Sequence, residues 1–60
     1  MFYKLWVYKE TGLYYYEYNS FASVIYHAVS EPSANRIIVQ SYNTKTQSYD
    51  TILEKGGINR

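Results

Sequence analysis

The chain has 60 residues, which is enough for one small domain and too few for two. It has no cysteine and a single histidine, so disulfides and thiolate metal sites are excluded, and we expect neither a metal nor a cofactor. Six basic and five acidic residues give a net charge of +1, which favours neither a nucleic-acid surface nor an acidic one. Because no apolar run approaches the ~20 residues of a membrane span and no signal peptide is recognisable, we expect a cytoplasmic protein without a membrane partner.

The high tyrosine content distinguishes this composition. Nine tyrosines, two phenylalanines and one tryptophan make up 20% of the chain. Tyr and Trp combine an apolar ring with a polar group, and they are enriched at protein interfaces. A chain of this length buries only about 60% of the surface that it exposes when unfolded, so it needs further stabilisation. We therefore expect a homodimer or a complex with another protein.

The first part of the chain predicts a β-hairpin. Residues 2–9 and 13–18 are rich in aromatic and β-branched types, and the segment between them suits a three-residue loop in which Gly12 takes positive φ. This register pairs Trp6 with Tyr16. One face of the hairpin then carries Leu5, Val7, Leu13 and Tyr15. The other face carries Phe2, Lys4, Trp6, Tyr8, Tyr14, Tyr16 and Tyr18.

The clearest helix signal follows this hairpin. Asn19 or Ser20 is a suitable N-cap, and Pro32 ends the helix because the residue before a proline is disfavoured in the α conformation. The apolar residues between these limits recur at the spacing of one helix face. They are Phe21, Val24, Ile25, Ala28 and Val29.

A second hairpin is predicted after a short connection, with strands at 36–42 and 47–55 and a polar turn at 43–46. The turn length puts one set of residues on the face that carries the aliphatic side chains: Ile37, Val39, Tyr49, Thr51 and Leu53. The opposite face receives Arg36, Ile38, Gln40, Tyr42, Asp50, Ile52 and Glu54. We also expect Arg36 and Glu54 to pair across this hairpin.

These elements predict an α+β fold of the order ββαββ, with a four-stranded, mainly antiparallel sheet and one helix packed on one face. The domain is expected to span 1–55, and 56–60 to form a flexible C-terminal tail. Strand order and the choice of the covered face stay open. We expect the helix stripe to pack on Leu5, Val7, Leu13, Ile37, Val39 and Leu53.

No residue combination predicts catalysis. His27 is the one plausible base, and we expect it on the solvated side of the helix, off the apolar stripe. Ser23 and Glu31 lie one turn to either side, a spacing that is common by chance, and the acidic residues form no metal-ligand pattern. Glycine loops for phosphate are also lacking, because Gly12 belongs to a turn and the Gly56-Gly57 pair precedes no predicted helix. We therefore expect no enzyme and assign no catalytic residue.

The aromatic face gives the leading functional hypothesis, a small module that docks on a partner protein or on a second copy. Contiguous exposed apolar surface is uncommon on a monomer, and Tyr and Trp carry much of the binding energy at interfaces. An accessory or inhibitory protein of the kind that phages and mobile elements encode would suit this size. The candidate interface residues are Trp6, Tyr8, Tyr14, Tyr16, Tyr18 and Tyr42.

Single-stranded nucleic acid is the alternative ligand, because tyrosine and tryptophan rings can stack on bases. Its candidate residues are Lys4, Trp6, Tyr16 and Arg36. The small net charge supplies few phosphate contacts, so protein binding is favoured. A third interpretation is structural: the aromatic face is a second half-core, closed by the C-terminal segment or by curling of the sheet.

Overall fold

The computed structural model describes residues 2–31 and 34–56 and contains four strands and one helix. The elements are β1 (Tyr3–Lys9), β2 (Gly12–Tyr18), α1 (Phe21–Val29), β3 (Arg36–Asn43) and β4 (Ser48–Gly56). The strands form one open sheet in the order β2-β1-β3-β4, and every neighbouring pair is antiparallel. The helix packs on β1, β2 and β3. This architecture confirms the predicted α+β fold.

The core lies between α1 and the two central strands, β1 and β3. Alternate residues of these strands point towards the helix, which is the pattern of a sheet with one buried face. The fully buried residues are Leu5, Val7, Val24, Ala28, Ile37 and Val39. Around them pack the partly buried side chains of Tyr3, Tyr16, Tyr18, Ile25, Ala34 and Leu53. Leu13, which was predicted to be part of this core, is absent from it and lies exposed on the opposite face of the sheet.

The helix is confirmed, and its central turns supply the buried contacts. Ser20 is the N-cap and accepts a hydrogen bond from the Ser23 backbone N–H at 3.4 Å. The two ends of the predicted apolar stripe are not in the core, since Phe21 is 54% and Val29 61% exposed. Phe21 instead lies near Tyr3, with ring centroids 5.9 Å apart. The helix of nine residues therefore buries Val24 and Ala28 and leaves its first and last apolar residues exposed.

The β1–β2 register differs by one residue from the sequence prediction. Trp6 lies opposite Tyr15 rather than Tyr16, and the loop at 10–11 has two residues instead of three. Gly12 takes the positive φ expected of it, +141°, but as the first residue of β2. Because neighbouring side chains in a strand point to opposite faces, the shift moves every β2 side chain to the other face.

The backbone of the shorter loop keeps Thr11 out of the positive-φ region. A two-residue loop over 11–12 would require β-branched Thr11 at positive φ. In the loop at 10–11 Thr11 does not have positive φ, since Gln47 is the sole non-glycine with positive φ among the described residues. Tyr14, Tyr16 and Tyr18 consequently face the helix, whereas Leu13, Tyr15 and Glu17 face away from it.

The β3–β4 hairpin contains a bulge that the sequence prediction lacked. Val39 pairs with Leu53 and Gln40 pairs with Thr51, so Ile52 is the extra residue on β4. The predicted faces hold on the Leu53 side of the bulge. Beyond it they are reversed, which corrects three placements: Tyr49 and Thr51 lie on the face away from the helix, and Asp50 lies on the helix face.

The C-terminal end of β4 reaches Gly56, which pairs with Arg36. Gly56 has φ +81°, and a Cβ placed there would collide with the Asn35 carbonyl, so glycine is required at this close approach. Gly56, predicted as the first residue of the tail, is thus the last residue of the sheet. Residues 57–60 lie outside the described part of the chain.

An engineered disulfide tests the β1–β2 register, and the absence of native cysteine makes this experiment simple. Tyr8 and Leu13 lie directly opposite each other, where cross-strand Cβ atoms are about 4.5–5.5 Å apart, close to the spacing that a disulfide needs. We expect Tyr8→Cys/Leu13→Cys to oxidise readily, as measured by thiol titration. Tyr8→Cys/Tyr14→Cys should stay reduced, because these side chains lie on opposite faces. Oxidation of only the second variant would contradict the register.

Candidate functional site

The sheet face opposite the helix, called the open face below, is the candidate site. In the described part of the chain the helix is the one element that packs on the sheet, and it packs on the other face. The open face combines aromatic, aliphatic and polar side chains from all four strands. Strand β1 contributes Lys4, Trp6 and Tyr8, and β2 contributes Leu13, Tyr15 and Glu17. Strand β3 contributes Arg36, Ile38, Gln40 and Tyr42, and β4 contributes Tyr49, Thr51 and Glu54.

Trp6 lies at the centre of the open face and is held in a fixed orientation. Its indole Nε1 donates a hydrogen bond to Gln40 Oε1 at 2.9 Å. The indole also contacts the ring of Tyr15, with centroids 4.5 Å apart. An open depression of about 200 Å³ lies beside the indole. Its lining residues are Trp6, Tyr8, Ile38, Gln40 and Thr51.

A second aromatic group lies near the N-terminal end of β1. Tyr42 and Tyr49 pack edge to face with ring centroids 5.2 Å apart, and Phe2 lies 6.4 Å from Tyr42. The ammonium group of Lys4 lies 4.0 Å from the centre of the Tyr49 ring, a cation–π contact. Lys4 thus belongs to this second aromatic group.

The charges of the open face balance within the described residues. Arg36 donates a hydrogen bond to Glu54, which confirms the ion pair predicted across the second hairpin. The Tyr15 hydroxyl donates a hydrogen bond to Glu17, and this bond, with some desolvation, raises the pKa of Tyr15 to about 12. Lys4 and Arg36 are thus matched by two carboxylates. The open face is aromatic and without net charge.

The predicted interface residues divide between the two faces of the sheet. Trp6, Tyr8 and Tyr42 lie together on the open face. Tyr14, Tyr16 and Tyr18 lie on the helix face, where Tyr16 and Tyr18 pack against the core. Of the residues proposed for nucleic acid, Lys4, Trp6 and Arg36 share the open face and Tyr16 does not.

Five open-face residues were missed by the sequence analysis: Leu13, Tyr15, Glu17, Tyr49 and Thr51. The first three follow from the two-residue loop, and Tyr49 and Thr51 follow from the bulge at Ile52. The sequence shows that β-branched Thr11 disfavours positive φ. A two-residue loop at 10–11 meets this condition as well as the predicted three-residue loop does. No sequence signal marks the bulge.

On the helix face, His27 belongs to a chain of polar contacts rather than to the solvated surface that was expected. Its Nδ1 is hydrogen-bonded to the Tyr18 hydroxyl, and its Nε2 lies 2.9 Å from Glu31 Oε2. The other Glu31 oxygen lies 3.0 Å from the ammonium group of Lys9. The His27 ring also packs 4.4 Å from that of Tyr16. These contacts tie the end of the helix to both strands of the first hairpin.

Comparison with known proteins gives no match to a protein-family model, a curated protein or a solved structure. Among residues 2–31 and 34–56, no three histidine or acidic side chains are grouped closely enough to hold a metal ion. The described helix is also too short to cross a membrane.

The Lys9–Glu31 contact predicts a pH dependence of stability. The hydrogen bond from Lys9, followed by that from His27, lowers the pKa of Glu31. A carboxyl whose pKa is lowered on folding adds stability above its unfolded pKa, and this is lost as the pH falls through the folded pKa. We expect Glu31→Gln to lower the Tm at neutral pH, with the difference disappearing in acid.

The matched control is Glu10→Gln, which removes the same charge from the exposed β1–β2 loop. Thermal unfolding followed by circular dichroism across the acidic range should show little change in Tm for this control. Equal Tm values for Glu31→Gln and the original chain at neutral pH would show that the contact adds no stability.

Proposed function

We propose that this chain is a non-enzymatic protein-binding module that docks the open face on the surface of a partner protein. The observation that carries the proposal is a sheet covered by a helix on one side and lined on the other by two aromatic groups, one around Trp6 and one around Tyr42. On that surface Tyr15 is 42% and Leu13 52% exposed. Exposed apolar surface of this kind usually marks an interaction site.

The arrangement around Trp6 supports docking through a rigid anchor. Its hydrogen bond to Gln40 and its contact with Tyr15 fix the indole before a partner arrives, so little side-chain entropy is lost on binding. The depression beside it can accept a side chain of the partner. Trp and Tyr in such settings are the residues whose truncation weakens interfaces most.

The charges favour a protein over single-stranded nucleic acid. A nucleic-acid surface needs basic groups for the phosphates beside its stacking rings. On the open face Arg36 is engaged by Glu54, Lys4 lies over Tyr49, and Glu17 adds a further negative charge. Lys4 and Arg36 still share this face with Trp6, so the test below includes nuclease digestion to detect bound nucleic acid.

Photo-crosslinking in cells tests this function, because it captures a partner whose identity is unknown. Tyr15 is replaced by the photoreactive residue p-benzoylphenylalanine, which keeps an aromatic ring at the same place on the open face. Tyr26, a helix residue that is 74% exposed, receives the same replacement as a matched control. We expect the Tyr15 position to give a discrete crosslink to a different protein, with a mass unlike that of a crosslinked dimer of this chain, and the Tyr26 position to give none.

Trp6→Ala in the Tyr15-labelled chain should reduce the crosslink at least fivefold, because loss of a central anchor costs about 1–2 kcal/mol or more. Circular dichroism should show that this variant keeps its helix and sheet. A product destroyed by nuclease would favour the nucleic-acid alternative. Equal crosslinking from both positions, or no effect of Trp6→Ala, would contradict docking through the open face.

A further inference from the structure

The two edges of the sheet differ in their protection against further strand pairing. The edge strand β4 carries the bulge at Ile52, the charged residues Asp50, Glu54 and Lys55, and Gly56 with positive φ at its end. Bulges and charges are the devices by which edge strands avoid pairing. The other edge strand, β2, pairs along its whole length with β1, with no bulge in the register, and has one charged residue, Glu17.

Backbone alternation identifies the groups that β2 presents at this edge. The carbonyl oxygen of Phe2 accepts a hydrogen bond from the Tyr42 N–H, and that of Tyr8 accepts one from the Asn35 N–H. The backbone N–H and C=O groups of the even-numbered β1 residues therefore point towards β3. The backbone groups of the odd-numbered β1 residues point towards β2. They form hydrogen bonds with the even-numbered β2 residues that lie opposite them. The backbone N–H and C=O groups of the remaining β2 residues point away from β1. These residues are Leu13, Tyr15 and Glu17.

We propose that a second copy of this chain pairs with this edge, β2 to β2 and antiparallel, about a two-fold axis at Tyr15. With this centre, Tyr15 lies opposite Tyr15 of the second copy, and Leu13 lies opposite Glu17 of the second copy. Each outward-facing residue then exchanges both backbone hydrogen bonds with its partner. The interface is isologous, as expected for a homodimer, and goes beyond the proposed function because it uses the edge rather than the open face.

The charge pattern and the length of β2 select this register over its neighbours. An axis at Glu17 would place the two Glu17 carboxylates opposite each other, which is destabilising. An axis at Leu13 or Tyr14 would leave Glu17 beyond the end of the partner's β2, and an axis at Tyr16 would leave Leu13 beyond its other end. The axis at Tyr15 engages all outward-facing residues and keeps the two carboxylates apart. This pairing also extends the sheet without covering the open face of either copy, so the two open faces lie side by side on one eight-stranded sheet.

Charge substitutions at Leu13 test this register, because Leu13 is exposed and lies opposite Glu17 of the second copy. Leu13→Glu creates two symmetric repulsive pairs and should raise the dimer Kd roughly tenfold, whereas Leu13→Lys creates two attractive pairs and should lower it. The double variant Leu13→Glu/Glu17→Lys should restore association. Sedimentation equilibrium from micromolar to millimolar concentration at low salt measures all these Kd values.

The control variant is Tyr42→Ala, which alters the open face on β3, where the Tyr42 ring packs on Phe2 and Tyr49 rather than on a β2 residue. We expect it to keep the original dimer Kd, so that failure of the edge proposal and failure of the proposed function give different results. A chain that stays monomeric at millimolar concentration would overturn the edge proposal. It would also be overturned by a dimer that Tyr42→Ala dissociates, or by Lys and Glu at position 13 having equal effects.

Discussion

The pairing of Trp6 with Tyr15 across the first hairpin is the constraint on which the other features depend. It follows from the two-residue loop and from Gly12, whose positive φ lets β2 begin immediately after the turn. Side chains alternate between faces, so this one pairing decides which aromatic rings support the helix and which remain accessible. The core, the open face and the β2 edge all take their composition from it.

The tyrosines that face the helix enlarge a small core with their apolar rings. Tyr16 and Tyr18 surround the buried aliphatic residues on the helix face, and their polar tips lie near the periphery, where Tyr18 bonds to His27. Polar contacts between His27, Glu31 and Lys9 then fix the last turn of the helix to the strands. Tyr15, on the open face, has no helix above it and is 42% exposed.

The sequence predicted the elements and their order well because each has a strong local signal. Ser20 and the spacing of Val24, Ile25 and Ala28 identify the helix, and the buried residues of β1 and β3 are the expected ones. Pairing is decided by tertiary contacts and is harder to predict. Two single-residue features caused the errors at the site.

The shorter loop before Gly12 exchanged Leu13 and Tyr15 with Tyr14, Tyr16 and Tyr18. The bulge at Ile52 moved Tyr49 to the open face. Each feature shifts a register by one residue, which changes no local propensity but inverts a face.

A two-dimensional NOESY spectrum tests the central claim, that the first-hairpin register divides the tyrosines between the two faces. This division predicts cross-peaks between the rings of Trp6 and Tyr15, which are 4.5 Å apart, and between those of Tyr16 and His27, which are 4.4 Å apart. Cross-peaks from Trp6 to Tyr16, together with contacts of Tyr15 to Val24 in the core, would contradict it. They would restore the three-residue loop and place a different set of rings on the open face.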